Sequence, residues 1–251
     1  MAVNGLLECR KISKIFGGIE ALTDVDLKVA PNSITGVIGP NGSGKTTLFN
    51  IISGALPPTG GDVIFKGKKI SKMGPAQVCR LGIARTYQLV RPFNSLSAME
   101  NVLIGLGFGR AASMAKKDRV AEAFRILRMV GLEGKMNHMA GSLTLVEKKH
   151  LEIARALATA PEVLLLDEVV SGLNPTEVTR TMGTIQQIRE SGITIIMIEH
   201  ILKVVLSLCE RVLVLDHGVR IAEAPPEEVV RDAGVIDAYI GKFEDEEDLH
   251  A

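Results

Sequence analysis

The stretch "GPNGSGKTT", residues 39–47, decides the fold, because it joins a strand pattern to a helix pattern. It matches G-x-x-x-x-G-K-[ST], in which glycines let the loop curl so that backbone N–H groups point at phosphate oxygens. The preceding "ITGVIG" (34–39) is typical of a short buried strand, and the following "TTLFNIISGAL" (46–56) is typical of a helix. The positive end of that helix would face the phosphates.

This motif assigns individual roles to its residues. Lys45 reaches the β- and γ-phosphates, and the Thr46 hydroxyl ligates Mg²⁺. The predicted nucleotide contacts in the loop are Gly39, Pro40, Asn41, Gly42, Ser43, Gly44, Lys45, Thr46 and Thr47. The motif thus predicts a site for a nucleoside triphosphate and Mg²⁺.

A second motif, "VLLLDE" (163–168), is an apolar strand pattern that ends in two carboxylates. The strand would carry Asp167 to its carboxyl end beside the phosphate loop, where the carboxylate can hold the hydration shell of Mg²⁺. Glu168 follows and could orient or deprotonate an attacking water. Taken alone, the two acids could equally cap a helix. The phosphate loop makes the catalytic interpretation the better one.

Two isolated polar residues follow apolar segments. Gln88 lies in "ARTYQLVRPF", and His200 ends "ITIIMIEH" (193–200). A lone histidine at a strand end is more often a structural residue than a catalytic one. Gln88 and His200 become candidate site residues only when they are considered together with the other motifs.

Strand and helix patterns alternate along the chain, and the strand segments "VLLL" (163–166) and "ITIIMI" (193–198) are almost entirely apolar. This arrangement predicts an α/β fold with a sheet covered on both faces. The segments "GLLECRKISKIF" (5–16) and "DVDLKVA" (24–30) alternate apolar and polar positions, which indicates half-buried strands. From about Leu89 to Met139 the pattern is helical. We therefore expect a P-loop NTPase core with a mixed or parallel sheet, an N-terminal antiparallel β subdomain and a helical subdomain inserted into the core.

The expected boundaries divide one domain, residues 6–241, into parts. The catalytic core with the β subdomain takes residues 6–88 and 158–225, and the helical subdomain takes 89–157. A C-terminal helix follows at 226–241. The tail "FEDEEDLHA" belongs to an acidic segment at 242–251, for which a solvated terminus is the simplest interpretation.

Composition narrows the class of protein. The chain has 251 residues, with 29 Lys plus Arg and 29 Asp plus Glu, so its net charge is near zero. Nucleic-acid binding normally needs a basic surface, so we expect no nucleic-acid partner. The N-terminus lacks the pattern of a secretory signal, and no apolar run is long enough to cross a bilayer. Three widely separated cysteines are typical of a reducing compartment, which predicts a cytoplasmic protein.

Together, the motifs resemble those of the nucleotide-binding subunits of ATP-binding-cassette (ABC) transporters. The resemblance rests on "GPNGSGKTT", "TYQ", "LTLVEKKHLEIARAL", "VLLLDE", "SGLNP" (171–175) and "IEH", and it covers about residues 6–241. It implies that Phe16 in "KIFGG" stacks on adenine and that Gln88 contacts Mg²⁺ or the attacking water. It also implies that Glu168 is the general base and that His200 contacts the γ-phosphate. Asn174 stands where many cassettes have Asp, and Val169 where Pro is common.

Several finer stretches are similar to the G-type ATPase of branched-chain amino-acid importers, among them "RTYQLVRPFNSLSAMENVLIG" and the ending "VIDAYIG". This resemblance implies an ATPase on the inner face of the cell membrane. Its partners would be two membrane permease subunits, a second ATPase subunit (the same chain or a sister) and, indirectly, a periplasmic or surface solute-binding protein. The same branch includes importers of other small polar solutes.

Three other classes remain as alternatives. A soluble cassette ATPase of translation or DNA repair usually carries two cassettes, coiled coils or zinc motifs, which this sequence lacks. A lipid or lipopolysaccharide exporter subunit shares much of the G-type pattern. An unrelated phosphate-loop kinase or GTPase leaves "SGLNP" and "IEH" unexplained.

The segment that resembles the family signature departs from it. Where the family usually has Leu-Ser-Gly-Gly-Gln, this chain has Leu143, Thr144, Leu145, Val146 and Glu147. The resemblance implies that this segment acts in trans, with Thr144 supplying the hydroxyl to ATP held by the partner cassette. If a signature glycine needed a positive φ, Val146 would cost about 1–2 kcal/mol there. We expect an ordinary helix start and a variant signature that still works.

Overall fold

The computed structural model describes residues 5–87 and 91–238, and the chain forms two units. The first unit comprises Met1–Met73 and Ile196–Ala251, and the second comprises Gly74–Ile195. The elements before the second unit are β1 (Leu7–Phe16), β2 (Ile19–Val29), β3 (Ile34–Ile38), α1 (Lys45–Ile52), β4 (Gly60–Phe65) and β5 (Lys68–Lys69).

The remaining elements follow in chain order. In the second unit they are α2 (Pro75–Leu81), β6 (Ile83–Arg85), α3 (Ala98–Gly105), α4 (Lys116–Met129), α5 (Leu145–Leu157), β7 (Val163–Asp167) and α6 (Pro175–Glu190). Strand β8 (Thr194–Ile198) spans the boundary between the units in the chain. The first unit then continues with α7 (Leu202–Leu208), β9 (Arg211–Asp216), β10 (Val219–Ala224) and α8 (Pro226–Val229).

The N-terminal strands of the first unit form an antiparallel sheet in the order β2-β1-β4-β5. The alternation seen in the sequence places Leu7, Cys9 and Ile12 on its buried face, where each is at most 2% exposed. Register shifts interrupt the pairing of β1 with both neighbours. The predicted antiparallel β part is therefore confirmed, and its strands are irregular where β1 passes β4.

A second strand group in the first unit supports the phosphate loop. Strand β3 pairs in parallel with β9, and β9 pairs in antiparallel fashion with β10. All five residues of β3 are buried, as its continuous apolar pattern predicts for a strand covered on both faces. Strands β9 and β10 form a hairpin, with Asp216 paired to Val219 at its turn.

The second unit combines a parallel strand pair with helices. Strand β6 pairs in parallel with β7, and α3 packs against both α4 and α5. The fully buried Asn101 ties the preceding loop to α3, because its amide donates to the Phe93 and Ser97 carbonyls and its oxygen accepts from Phe93 N–H. The predicted helical insertion is confirmed.

Some details differ from the sequence prediction. Helix α1 ends at Ile52, and α2, β6 and α7 were not predicted. Helix α8 ends at Val229, and the chain is helical again over residues 233–238 after a turn in which Asp232 Oδ1 accepts from Val235 N–H at 3.1 Å. The region predicted as one C-terminal helix therefore contains a break, and its end lies outside the described residues.

The finer division into core, helical subdomain and tail stays a prediction. The two units meet in the chain at 73/74 and 195/196, whereas the predicted boundaries were 88/89 and 157/158. The difference arises because β6 and β7 pair with each other and group with the helices of the second unit. Within the described residues, no helix is long and apolar enough to cross a membrane.

Glycine is required at one irregular position of the antiparallel sheet. Gly61 has a φ of 81°, and a Cβ atom there would lie 2.1 Å from the Lys11 carbonyl oxygen. We predict that Gly61→Ala lowers the free energy of unfolding by about 2 kcal/mol or more, since conformational strain adds to this overlap. Gly67→Ala is the matched control, because Gly67 has a φ of 76° but no neighbour within 4 Å.

Denaturant titration of both variants measures their free energies of unfolding. The control should lose only the left-handed conformational cost, about 1 kcal/mol. Equal losses in the two variants would contradict the steric account of Gly61.

Candidate active site

The phosphate loop of the first unit begins where β3 ends, and it needs glycine at two places. Gly39 has a φ of 147°, and a Cβ atom there would lie 2.0 Å from the Leu215 carbonyl oxygen. Gly44 is the N-cap of α1 with a φ of 100°, and its Cβ would lie 2.6 Å from the Ala21 carbonyl oxygen. A larger residue at either position would displace backbone. The predicted strand–loop–helix context is thus confirmed.

Backbone hydrogen bonds hold this loop against the β9–β10 turn. Gly218 N–H donates to the Ser43 carbonyl at 3.2 Å, and Thr23 N–H donates to the Gly218 carbonyl at 2.8 Å. Gly218 also has a positive φ, 80°. The turn therefore links the loop to β2, so the shape of the loop is fixed by its neighbours.

Polar groups of the loop fit a polyphosphate. The Lys45 ammonium donates to the Gly39 and Pro40 carbonyls, each at 2.7 Å, and so lies at the start of the loop. Ser43 Oγ is buried and has no hydrogen-bond partner among the described residues. The Thr46 side chain is exposed at the first turn of α1. The loop thus offers an ammonium, hydroxyls and the backbone N–H groups of a helix start to an anion.

Two other predicted site residues lie in the first unit. Phe16 ends β1 and is 43% exposed, with Lys14 Nζ 5.1 Å from the centroid of its ring. An exposed aromatic face of this kind can stack on a planar base. His200 is exposed, two residues after β8, and follows Glu199, which is 1% exposed.

In the second unit, β7 carries Asp167 into a buried ion pair. Arg85 Nη2 lies 2.8 Å from Asp167 Oδ2, and both side chains are 5% exposed. Asp167 N–H donates to Thr86 Oγ1 at 3.1 Å. Breaking a buried pair leaves an uncompensated charge, so Arg85 fixes the position of this carboxylate. Sequence reasoning missed Arg85, because its spacing from Asp167 gives no sign of a contact.

Glu168 adopts an unusual backbone conformation. Its φ is 49°, in the left-handed region, which costs a non-glycine residue about 1–2 kcal/mol. Its carbonyl accepts from Ser171 N–H at 3.2 Å and from Lys149 Nζ at 3.0 Å. Lys149 Nζ also donates to the Ser171 carbonyl at 2.7 Å. Strain of this kind persists only where the surroundings hold it, and it is often found at functional sites.

Gln88, a predicted Mg²⁺ or water contact, lies outside the described residues. Its neighbour Tyr87 donates its backbone N–H to Glu152 Oε1 at 2.9 Å. Burial raises the pKa of Glu152 to about 7, although the Tyr87 N–H acts in the opposite direction. Glu152 lies on α5. Its contact with Tyr87 could not be predicted from the sequence, because "LEIARAL" predicts only that the segment is helical.

The variant signature begins α5 in the ordinary way. Thr144 is the N-cap, with Thr144 N–H donating to Glu147 Oε2 at 2.9 Å and Glu147 N–H donating to Thr144 Oγ1 at 3.4 Å. The N–H of Thr144 lowers the pKa of Glu147. Leu145 and Val146 are the first helical residues, and neither has a positive φ. The strain considered for Val146 is therefore absent.

Asn174, the other family departure, is explained by the helix that it begins. It caps α6, where its Oδ1 accepts from Glu177 N–H at 3.0 Å, and Glu177 Oε2 accepts from Asn174 N–H. Asn and Asp are nearly equivalent as N-caps, so this substitution keeps the local structure. Val169 is buried, at 5% exposure.

Comparison with known proteins adds independent information. The family profile described as "ABC transporter" matches residues 22–171. The chain is 35% identical over 250 residues to the high-affinity branched-chain amino acid transport ATP-binding protein BraF of Pseudomonas aeruginosa, a match that covers 94% of this chain and 98% of that protein. It is 34% identical over 255 residues to LivG of Escherichia coli K12, a protein of the same description, covering 96% and 98%.

Solved structures agree with this relationship. The crystal structure of the ADP conformation of an ATP-binding cassette of an ABC transporter has a TM-score of 0.86 at 34% identity and covers 94% of this chain and 98% of that one. A dimeric post-hydrolysis structure of another cassette, bound to ADP and Pi, has a TM-score of 0.78 at 27% identity, covering 88% and 98%.

The raised pKa of Glu152 predicts a pH dependence of stability. A carboxyl group whose pKa is higher in the folded state stabilises the fold most at low pH, and this contribution is lost as the pH rises from the ordinary glutamate range through about 7. Between pH 5 and 7.5, wild-type protein should therefore lose more unfolding free energy than Glu152→Gln. Urea titrations at several pH values measure the difference, and parallel profiles would contradict it.

Proposed function

The chain belongs to the ABC transporter family, and from this we propose that it powers the import of branched-chain amino acids or related small solutes. It is an ABC-type ATPase, and its ATP-binding relatives BraF and LivG are named as branched-chain amino acid transport proteins. The match to these relatives over nearly the whole of both chains is the observation that carries the proposal. It favours an importer over a translation or repair ATPase and over a lipid exporter.

ATP binding depends first on the phosphate loop. Lys45 and the backbone N–H groups of residues 39–47 would bind the β- and γ-phosphates, and Phe16 would stack on adenine. Thr46, Gln88 and Asp167 would hold Mg²⁺ through oxygen atoms, which Mg²⁺ prefers. Bound Mg²⁺ would neutralise phosphate charge. Arg85 holds the Asp167 carboxylate in place through the buried ion pair.

Hydrolysis depends on residues at the γ-phosphate. Glu168 would accept a proton from the attacking water, Gln88 would orient that water, and His200 would donate to the γ-phosphate. The half-exposed Glu168 side chain leaves access for water. Thr144 would contribute its hydroxyl in trans to ATP bound by a second cassette, with the helix start of α5 behind it.

The proposed assembly contains two permease subunits and a second ATPase subunit, either the same chain or a sister. The pair would work at the inner face of the cell membrane and receive solute through a periplasmic or surface binding protein. The dimeric cassette structure with a TM-score of 0.78 supports the pairing. The near-neutral charge of this chain agrees with the absence of a nucleic-acid partner.

We predict that the assembled transporter hydrolyses ATP and that Glu168→Gln lowers kcat about 100-fold or more, because the water loses its base. Lys45→Met should instead weaken ATP binding. Steady-state phosphate release and nucleotide titration measure the two effects. Equal rates for wild type and Glu168→Gln would contradict the proposal.

The solute class is tested separately with the transporter in proteoliposomes. Uptake of radiolabelled leucine, isoleucine or valine that needs internal ATP and stops in Glu168→Gln supports the importer. ATP-dependent lipid export without amino-acid uptake would support the exporter alternative.

A further inference from the structure

Lys149 is a buried lysine that none of the roles above uses. It lies on α5 five residues after Thr144, and it is 8% exposed. Its ammonium donates to the carbonyl of Glu168 at 3.0 Å and to that of Ser171 at 2.7 Å. A buried ammonium is costly unless its hydrogen bonds are satisfied, so these contacts are a specific feature of the fold.

Both acceptors belong to one tight turn. Ser171 N–H donates to the Glu168 carbonyl at 3.2 Å, so this carbonyl receives two donors. Lys149 therefore bridges the first and last residues of the turn. Lys149 lies on α5, outside the turn, so its ammonium holds the turn from another part of the chain.

The turn needs such a constraint because Glu168 has a φ of 49°. Strand β7 is buried and fixes the chain before Glu168. A non-glycine residue such as Glu168 favours a negative φ unless other groups hold the carbonyls of the turn that it begins. The direction of the Glu168 side chain is set by this backbone angle, so its carboxylate depends on the contacts of its own carbonyl.

We propose that Lys149 is a positioning residue for Glu168: its ammonium holds the turn 168–171 so that the carboxylate of Glu168 points at the attacking water. This inference rests on the proposed function, since it assumes that Glu168 is the base. It also gives α5 a second task, because the helix that starts at the variant signature also holds the catalytic turn of its own chain.

The neighbouring lysine provides a matched control. Lys148 lies on the same helix and is half-buried, and among the described residues no side-chain hydrogen bond or ion pair links it to the turn 168–171. Lys149→Met removes the donors but keeps much of the apolar stem, and Lys148→Met makes the same change one residue away. Lys149→Arg restores charged donors, and Lys149→Gln restores an uncharged one.

The experiment measures kcat, KM and ATP affinity of the assembled transporter for these variants, with Glu168→Gln alongside. Lys149→Met should lower kcat about 10- to 100-fold, as expected when a reacting group is misplaced by about 1 Å, and leave ATP affinity within about threefold. Lys149→Arg should recover most of kcat, Lys149→Gln should fall between, and Lys148→Met should match wild type.

Hydrogen exchange gives a readout that does not depend on activity. In Lys149→Met, the amide of Ser171 should exchange faster than in wild type, while Lys148→Met leaves it unchanged. If the Lys149→Met protein does not fold, kcat and exchange of the Lys149→Gln and Lys149→Arg proteins are compared with those of Lys148→Met instead.

Two results would overturn the proposal. One is a Lys149→Met protein with kcat and exchange like those of Lys148→Met. The other is a fall in kcat matched by a loss of ATP affinity and not rescued by Lys149→Arg, which would indicate general damage. Failure of the proposed function would look different, because the Glu168→Gln variant would then hydrolyse ATP as fast as wild type.

Discussion

Close backbone contacts around Gly39 and Gly44 are the constraint on which the nucleotide site depends. A Cβ atom at Gly39 would lie 2.0 Å from a carbonyl oxygen of β9, and one at Gly44 would lie 2.6 Å from a carbonyl oxygen of β2. Both glycines have positive φ. The loop can therefore approach these two strands so closely because neither glycine carries a side chain. Lys45 and the start of α1 gain their positions from that packing.

In the signature region, by contrast, the backbone does not require glycine. Leu145 and Val146 replace the family's glycines, yet the backbone there is an ordinary helix start with Thr144 as its cap. What an anion needs from such a segment is a hydroxyl, N–H donors and the positive helix end, and all of these remain. The loss of glycine thus changes the size of the side chains at the helix start and leaves its backbone intact. A variant signature is therefore compatible with activity.

Sequence reasoning succeeded where one local pattern carries the information. The phosphate loop between β3 and α1, the apolar strand ending at Asp167 and the helix after Thr144 could each be predicted from a few neighbouring residues. It failed for contacts between distant residues. Arg85 pairs with Asp167, Glu152 accepts from Tyr87, and Lys149 donates to Glu168. In the sequence these are ordinary charged residues, and only tertiary packing buries them and defines their partners.

The most direct test of this account restores the family's glycines. The ATPase rate of the assembled transporter should be measured for wild type and for the double variant Leu145→Gly/Val146→Gly. Because the backbone at both residues is already helical, we expect the rate of the double variant to stay within about threefold of wild type, with lower thermal stability since glycine disfavours helix. A rate increase of tenfold or more would contradict the account, because it would show that Leu145 and Val146 obstruct the site.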